Sequence, residues 1–412
     1  MRILWFSVTP SLFNPLSNGH NGGGWIASLE QIVRQNKSIE LGIAFYFPDS
    51  SFKYQNKGVT YYPIMPENSS LAGKIFKKND KNRNVAKYLK IIEDFKPDLI
   101  QIFGSENDFG LLCKHTDIPV VIHLQGCLPP YHNALMPVGM KRSDFIFKKG
   151  LSLNYRFIGL RSEKAFRRNA EREIEIIQLC KYFMGRTEWD KSLIDLFNPS
   201  ATYFHCEEAL RDSFIISEKR WKYSDEKKKT IISVISRPWY KGCDLILKTA
   251  ALLKRFTDID FEWKVYGIPE MKFYESVYNI KAKEVNVHPM GTASKDELVE
   301  ALCAASCYVH TSYIDNSPNS LCEAQILGVP VIATNVGGIS TIVDNNKDGI
   351  LFPANAPYTA ASLIKKVTKS RTIAEGLSSN AIVKATARHD PDKIGERLAY
   401  IYNTIIQENK KQ

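Results

Sequence analysis

Cations, glycines and carboxylates recur in this chain immediately after short apolar runs. Ser236-Arg237-Pro238-Trp239-Tyr240-Lys241-Gly242 follows one run, Gly267 a second, Tyr313-Ile314-Asp315-Asn316 a third and Gly337-Gly338 a fourth. Cations beside glycines suit a phosphate-bearing ligand, because Arg and Lys neutralise its charge and a residue without Cβ lets it approach the backbone. Residues 315–330 are the most informative stretch. Ser317 suits a helix cap and Pro318 the first helical position, while Gly328 and Pro330 end the pattern, so a helix is expected over 318–327. The first-turn amides of Asn319 and Ser320 would have no intrahelical partner, and with the helix dipole they would favour a diphosphate. Glu323 stands in that helix among Leu321, Cys322, Ala324, Ile326 and Leu327. A carboxylate in such company must be paired or must bind ligand hydroxyls.

Each of these residues also has a plain structural reading. Asp315 could be a helix-entry turn residue. Glu323 could belong to a buried ion pair, Arg237 to a surface one, and Lys241 could be a solvated loop lysine. His123, at the end of Val120-Val121-Ile122-His123, could be a satisfied strand-end histidine. Gly22-Gly23-Gly24 could be a flexible loop, since it is not a G-x-G-x-x-G fingerprint.

The elements that would position these residues alternate along the whole chain. Strands are expected at 3–9, 41–47, 59–64, 99–103, 120–124 and 182–185, then at 230–236, 261–266, 286–289, 307–311 and 331–334, with amphipathic helical patterns between them. Strands alternating with helices imply βαβ units and parallel sheets. In such sheets ligands sit at the carboxyl ends of strands, where the residues above gather. Two sets of strands imply two doubly wound α/β domains. The boundary falls between Asn198-Pro199-Ser200 and the charged run Asp225–Lys229. We divide the chain into a first domain over 1–205 and a second over 206–390. A C-terminal helix after His389-Asp390-Pro391, over 391–412, is free to pack back on the first domain.

The chain has 412 residues, 44% hydrophobic and 24% charged, which excludes a disordered, collagen-like or disulfide-scaffold protein. Lys and Arg number 55 against 44 Asp and Glu, a net charge of +11, so anionic partners are favoured. The 8 cysteines show no Cys-x-x-Cys pair, and Cys303 and Cys307, one helical turn apart, read as small buried helix residues. A reducing, cytoplasmic location is expected, with no leader and no membrane span. Asp258-Ile259-Asp260 and Asp390-Pro391-Asp392 read as turns ahead of other elements, and no metal site is expected.

The stretch 315–330 resembles the Glu-x7-Glu signature of the family 4 glycosyltransferases, retaining enzymes of the GT-B fold. Asp315 falls at the first acidic position, one methylene shorter than the usual Glu, and Glu323 at the second. Pro318-Asn319-Ser320-Leu321, 328–334 and Gly337-Gly338 match as well. Arg237 and Lys241-Gly242 resemble the family's Arg…Lys-Gly pair, Gly22–Gly24 its glycine loop, and His123 its histidine facing the donor sugar. The resemblance implies two Rossmann-like domains facing each other across a cleft, the first for the acceptor and the second for a nucleotide-sugar donor. It implies that Arg237, Lys241 and the amides of Asn319 and Ser320 hold the leaving diphosphate. Glu323 would take the ribose hydroxyls and Asp315 the sugar hydroxyls, with Gly23, Gly24 and Gly267 close to the ligand. It implies front-face transfer with retention, without metal and without a cofactor beyond a UDP-, GDP- or ADP-sugar co-substrate.

The most basic region, 141–172, carries Lys141, Arg142, Lys148, Lys149, Arg156, Arg161, Lys164, Arg167, Arg168 and Arg172 interleaved with aromatic residues. Such a stretch can lie on an anionic membrane surface, or be a solvated helix face. Lys74, Lys77, Lys78, Lys81 and Arg83 form a second run. The expected partners are a nucleotide sugar and a glycan or lipid-linked glycan acceptor in surface polysaccharide synthesis, with no nucleic-acid motif. The alternatives are a nucleotide-sugar epimerase on the same fold and a non-catalytic nucleotide- or membrane-binding relative.

Overall fold

Short runs of Val, Ile, Leu and aromatic residues, apolar on both faces, build two parallel sheets buried under helices. The computed structural model describes residues 1–13, 24–47, 53–65, 81–141, 143–144, 153–236 and 239–411, without the side chains of 81–83 and 153–162. The first sheet contains β1 (Arg2–Ser7), β2 (Glu40–Tyr46), β3 (Tyr54–Asn56), β4 (Val59–Ile64), β5 (Leu99–Phe103), β6 (Val120–His123), β7 (Tyr182–Gly185) and β8 (Thr202–His205). Their order is β3-β4-β2-β1-β5-β6-β7-β8. All pairs are parallel except β3 with β4. The second sheet contains β9 (Lys229–Val234), β10 (Phe261–Tyr266), β11 (Val287–Gly291), β12 (Cys307–His310), β13 (Val331–Thr334) and β14 (Ile350–Phe352), in the order β11-β10-β9-β12-β13-β14. It is wholly parallel.

The chain divides into two units. One contains 1–127, 169–211 and 389–412, and the other 128–168 and 212–388. This corrects two boundaries of the sequence reading. The division falls at 211/212 rather than 205/206, and residues 128–168 group with the second unit. The physical reason lies in the helix Leu128–Asn133: the Tyr131 hydroxyl accepts from the Asn316 amide at 3.2 Å, and its ring meets Tyr240 edge-on at 5.0 Å.

The helix Pro391–Lys410 belongs to the first unit. It lays Ile394, Leu398, Ile401, Tyr402 and Ile405 into that core. The buried Tyr402 hydroxyl accepts from Trp5 Nε1 at 3.0 Å and donates to Gln101. Asp390 caps this helix through the amides of Asp392 and Lys393, so the Asp-Pro-Asp triplet is spent on a helix start.

Two cysteine readings change. Cys113 and Cys180, 67 residues apart, form a disulfide, and Cys303 closes a helix while Cys307 opens β12. Among the described residues no helix is long and apolar enough to cross a membrane.

Candidate active site

In the second unit the loop after β9 and the loop after β12 are knitted together at the carboxyl edge of the sheet. Thr311 Oγ1 donates to the Lys241 carbonyl at 3.0 Å, and the Tyr313 amide donates to the Tyr240 carbonyl at 2.7 Å. Gly242 makes this approach possible. Its φ is +76°, and a Cβ there would stand 2.0 Å from the Thr311 carbonyl oxygen. The close packing places Lys241 Nζ 2.7 Å from Asp315 Oδ2. Ser312 Oγ donates to the same oxygen at 3.1 Å, and His310 Nε2 lies 3.1 Å from it. That last contact is short but oblique, so it acts as an electrostatic contact rather than a well-formed hydrogen bond.

Burial alone would push the Asp315 carboxyl up, but Lys241 and His310 outweigh it and hold the carboxyl well below the usual carboxylate range. Asp315 is therefore a fixed negative charge. Lys241 keeps 17% of its side chain exposed, so it can still meet a ligand. Gly337 supports the same loop from β13. Its φ is +54°, a Cβ would stand 1.9 Å from the Asp315 carbonyl oxygen, and the Gly338 amide donates to that oxygen at 3.0 Å.

The helix after this loop spans Asn319–Leu327. It begins one residue later than the sequence suggested. Pro318 rather than Ser317 occupies the cap position, because its extended backbone (ψ 112°) delays the first turn. The amides of Leu321 and Cys322 return to the Pro318 carbonyl, so Asn319 and Ser320 precede the first intrahelical bond. Gly328 ends the helix in the left-handed conformation. Leu321 to Leu327 are all buried, Glu323 at 1% exposure.

Tyr308 feels the charges of both acids of this motif. Its hydroxyl is 2.8 Å from Ser320 Oγ. Burial raises the hydroxyl's pKa; the Ser320 bond opposes this, and the charges of Asp315 and Glu323 add to it. Lys241, Asp315, Ser320 and Glu323 are thus brought into one neighbourhood. Gly267 (φ +94°) is accounted for by packing, since a Cβ there would meet the Ile235 carbonyl at 2.0 Å. Arg237 lies outside the described residues.

At the first sheet's edge, His123 ends β6 with no solvent exposure. Its ring meets Trp25 edge-on at 4.9 Å, and Nδ1 is 3.5 Å from Gln101 Nε2. Burial, aided by the Arg186 charge, pushes its pKa down to about 3, so the ring is neutral. Gly24 opens the helix Gly24–Gln35 with φ +49°, while Gly22 and Gly23 lie outside the described residues.

Sequence reasoning missed Arg186 and Glu208 here. They form a sealed ion pair at 3.2 Å, with the guanidinium 4.9 Å from the Trp25 ring. Arg186 follows β7 directly, so the strand-end rule used for Arg237 would have found it. The same rule would have found His310, the last residue of β12.

Residues 216–384 match the family model described as glycosyl transferases group 1. That match lies within the second domain. The chain is also similar to the N,N'-diacetylbacillosaminyl-diphospho-undecaprenol alpha-1,3-N-acetylgalactosaminyltransferase of Campylobacter jejuni, 25% identical over 198 residues. That match covers 47% of this chain and spans about half (50%) of the relative's length. Among solved structures, sucrose-phosphate synthase from Thermosynechococcus elongatus superposes with a TM-score of 0.74 over 99% of both chains, at 12% identity. Anabaena Alr3699/HepE, in complex with UDP and glucose, gives 0.66 over 98% of this chain and 100% of its own, at 13% identity. At these identities the likeness concerns the fold: two Rossmann-like α/β domains, as in GT-B structures.

Proposed function

We propose that the protein is a retaining, metal-independent glycosyltransferase that moves a sugar from a nucleotide-sugar donor to a glycan or lipid-linked glycan acceptor in surface polysaccharide synthesis. The observation that carries this reading is the Lys241–Asp315 contact beside the first turn of the helix Asn319–Leu327. Breaking the donor's glycosidic bond leaves negative charge on a diphosphate. A fixed cation and unpaired helix amides stabilise that charge where it grows. Lys241 and Arg237 supply cations, Asn319 and Ser320 supply amides, and Glu323 accepts from the ribose hydroxyls. Asp315 serves the donor sugar, and in the first domain His123 and the amides of Gly23 and Gly24 are the residues assigned to the ligand. The donor is a UDP-, GDP- or ADP-sugar acting as co-substrate. The protein works at the cytoplasmic face of the membrane, where the exposed Lys164, Arg167 and Arg168 favour anionic lipid.

The Campylobacter jejuni relative named above is a transferase, which favours transfer over the epimerase reading. The test is unfolding midpoint against UDP, GDP, ADP and their sugar conjugates, followed by transfer to lipid-linked acceptors. A ligand at about 100 times its Kd adds roughly 2.7 kcal/mol, a readily measured shift. A nucleotide that binds without any transfer or hydrolysis of its sugar conjugate would favour the non-catalytic relative instead.

A further inference from the structure

His310 is 1% exposed at the end of β12, and nothing in the proposed reaction so far uses it. Its two ring nitrogens face different partners. Nε2 lies 3.1 Å from Asp315 Oδ2, the oxygen that also receives Lys241 Nζ. Nδ1 lies 3.4 Å from the Tyr308 hydroxyl, which is 2.8 Å from Ser320 Oγ. The ring meets this arrangement with Nδ1 as acceptor and Nε2–H as donor, roles assigned from its partners. Where Ser320 donates to Tyr308 rather than to the Val234 carbonyl 3.5 Å away, Tyr308 donates to Nδ1 and Nε2–H points toward Asp315. The donors then run in one direction, from the first turn of the helix to the carboxylate that holds the lysine. Both imidazole contacts are long or oblique, as contacts of a catalytic network often are before a ligand tightens them.

We propose that His310 is a positioning residue for glycosyl transfer. It acts through Asp315 on Lys241 and through Tyr308 on Ser320, and so holds the cation and the helix's first turn at one spacing. The inference rests on the reading of this site as a diphosphate site. A diphosphate meets both elements at once, one phosphate at each, whereas a monophosphate can satisfy only one of them. Loss of the spacing therefore weakens nucleoside diphosphates selectively. A residue that merely filled space would weaken both alike.

The test uses the full chain and two substitutions at the same position. His310→Leu keeps a buried apolar side chain and removes both polar contacts. His310→Gln restores a donor toward Asp315. Binding of UDP, GDP and ADP, and of UMP, GMP and AMP, is measured by calorimetry, with the unfolding midpoint recorded for each variant. For the diphosphate that binds the wild type, His310→Leu weakens binding about tenfold, the scale of a hydrogen bond to a charged group, while its monophosphate changes by less than about twofold. His310→Gln recovers most of the loss. In a Lys241→Ala background, His310→Leu adds no more than about threefold, because only the branch through Tyr308 is left to lose.

If His310→Leu binds the diphosphate as the wild type does, the proposal is overturned. Equal weakening of di- and monophosphate without rescue by Gln overturns it too. Should His310→Leu not fold, Tyr308→Phe removes the hydroxyl alone, and the same selective loss is expected at about threefold. Absence of that selectivity overturns the proposal. Wild-type protein that binds none of the three diphosphates overturns the functional reading as well, which separates the two failures.

Discussion

The carboxyl edges of the two sheets each carry a cation paired with a carboxylate, and the pairs differ in what surrounds them. Arg186 and Glu208 in the first unit are exposed by 2% and 0%, with the guanidinium against Trp25 and donating to the Leu124 carbonyl at 3.2 Å. Lys241 and Asp315 in the second unit keep 17% and 8%. The first cation is closed off from solvent and held by Glu208, the Leu124 carbonyl and Trp25. The second is anchored on one side and open on the other. A sealed pair stabilises a shape only while both partners are present. An open pair leaves a charge available to a ligand, with its position fixed by the carboxylate. The difference teaches that the first edge is organised for shape and the second for charge.

The largest effect should come from breaking the sealed pair. Arg186→Met leaves Glu208 buried without its cation and should destabilise the protein by about 3–5 kcal/mol, read from urea unfolding. A change under about 1 kcal/mol would mean that solvent reaches this pair, and the contrast would fail. At the open edge the loss should fall on rate instead. Lys241→Ala and Glu323→Ala should each lower transfer by about a hundredfold to a thousandfold, or roughly 2.7–4 kcal/mol of barrier, with the unfolding midpoint nearly unchanged for Lys241→Ala. Turnover like the wild type in either variant would remove that residue from the site.

Acidity probes the first edge again. The pKa of His123 is about 3 in the folded protein, below the roughly 6.5 of an unfolded chain. As pH falls below about 6.5 the unfolded state takes up a proton that the folded state refuses. Stability therefore falls from pH 6.5 toward 3, by at most about 1.4 kcal/mol per pH unit for this group, and is flat above. His123→Gln should flatten that slope in urea unfolding measured at pH 7, 6 and 5. The smallest effect should come from Tyr131→Phe. It deprives the buried Asn316 amide of an acceptor and should slow transfer by a factor corresponding to about 1 kcal/mol.

Most strands inside the sheets were legible in the sequence. β4, β5, β7, β10 and β13 begin and end where the apolar runs do. The strands it did not reveal are β3, β8 and β14, each at the edge of its sheet. Tyr54-Gln55-Asn56 pairs with β4 through its backbone and carries no apolar run, so composition gives no sign of it. The Lys241–Asp315 neighbourhood was legible because both residues follow strands that are adjacent in the sheet, and the strand-end rule gathers them. The roles of His310 and Arg186 were not, because each is defined by a partner that only the folded topology supplies. The Cys113–Cys180 pair is hidden for the same reason, its halves separated by 67 residues. The shift of 128–168 to the second unit rests on the Tyr131–Asn316 contact, which no local pattern announces.

The helix Pro391–Lys410 gives the synthesis of this chain a particular order. Trp5 waits for Tyr402, made almost four hundred residues later (a separation of 397), before its indole nitrogen has its partner. The unit begun first on the ribosome therefore has its core completed last, after residues 212–388 of the other unit have already emerged. A premature stop near 390 would spare the domain that carries Lys241 and Glu323 and would unravel the one that emerged before it.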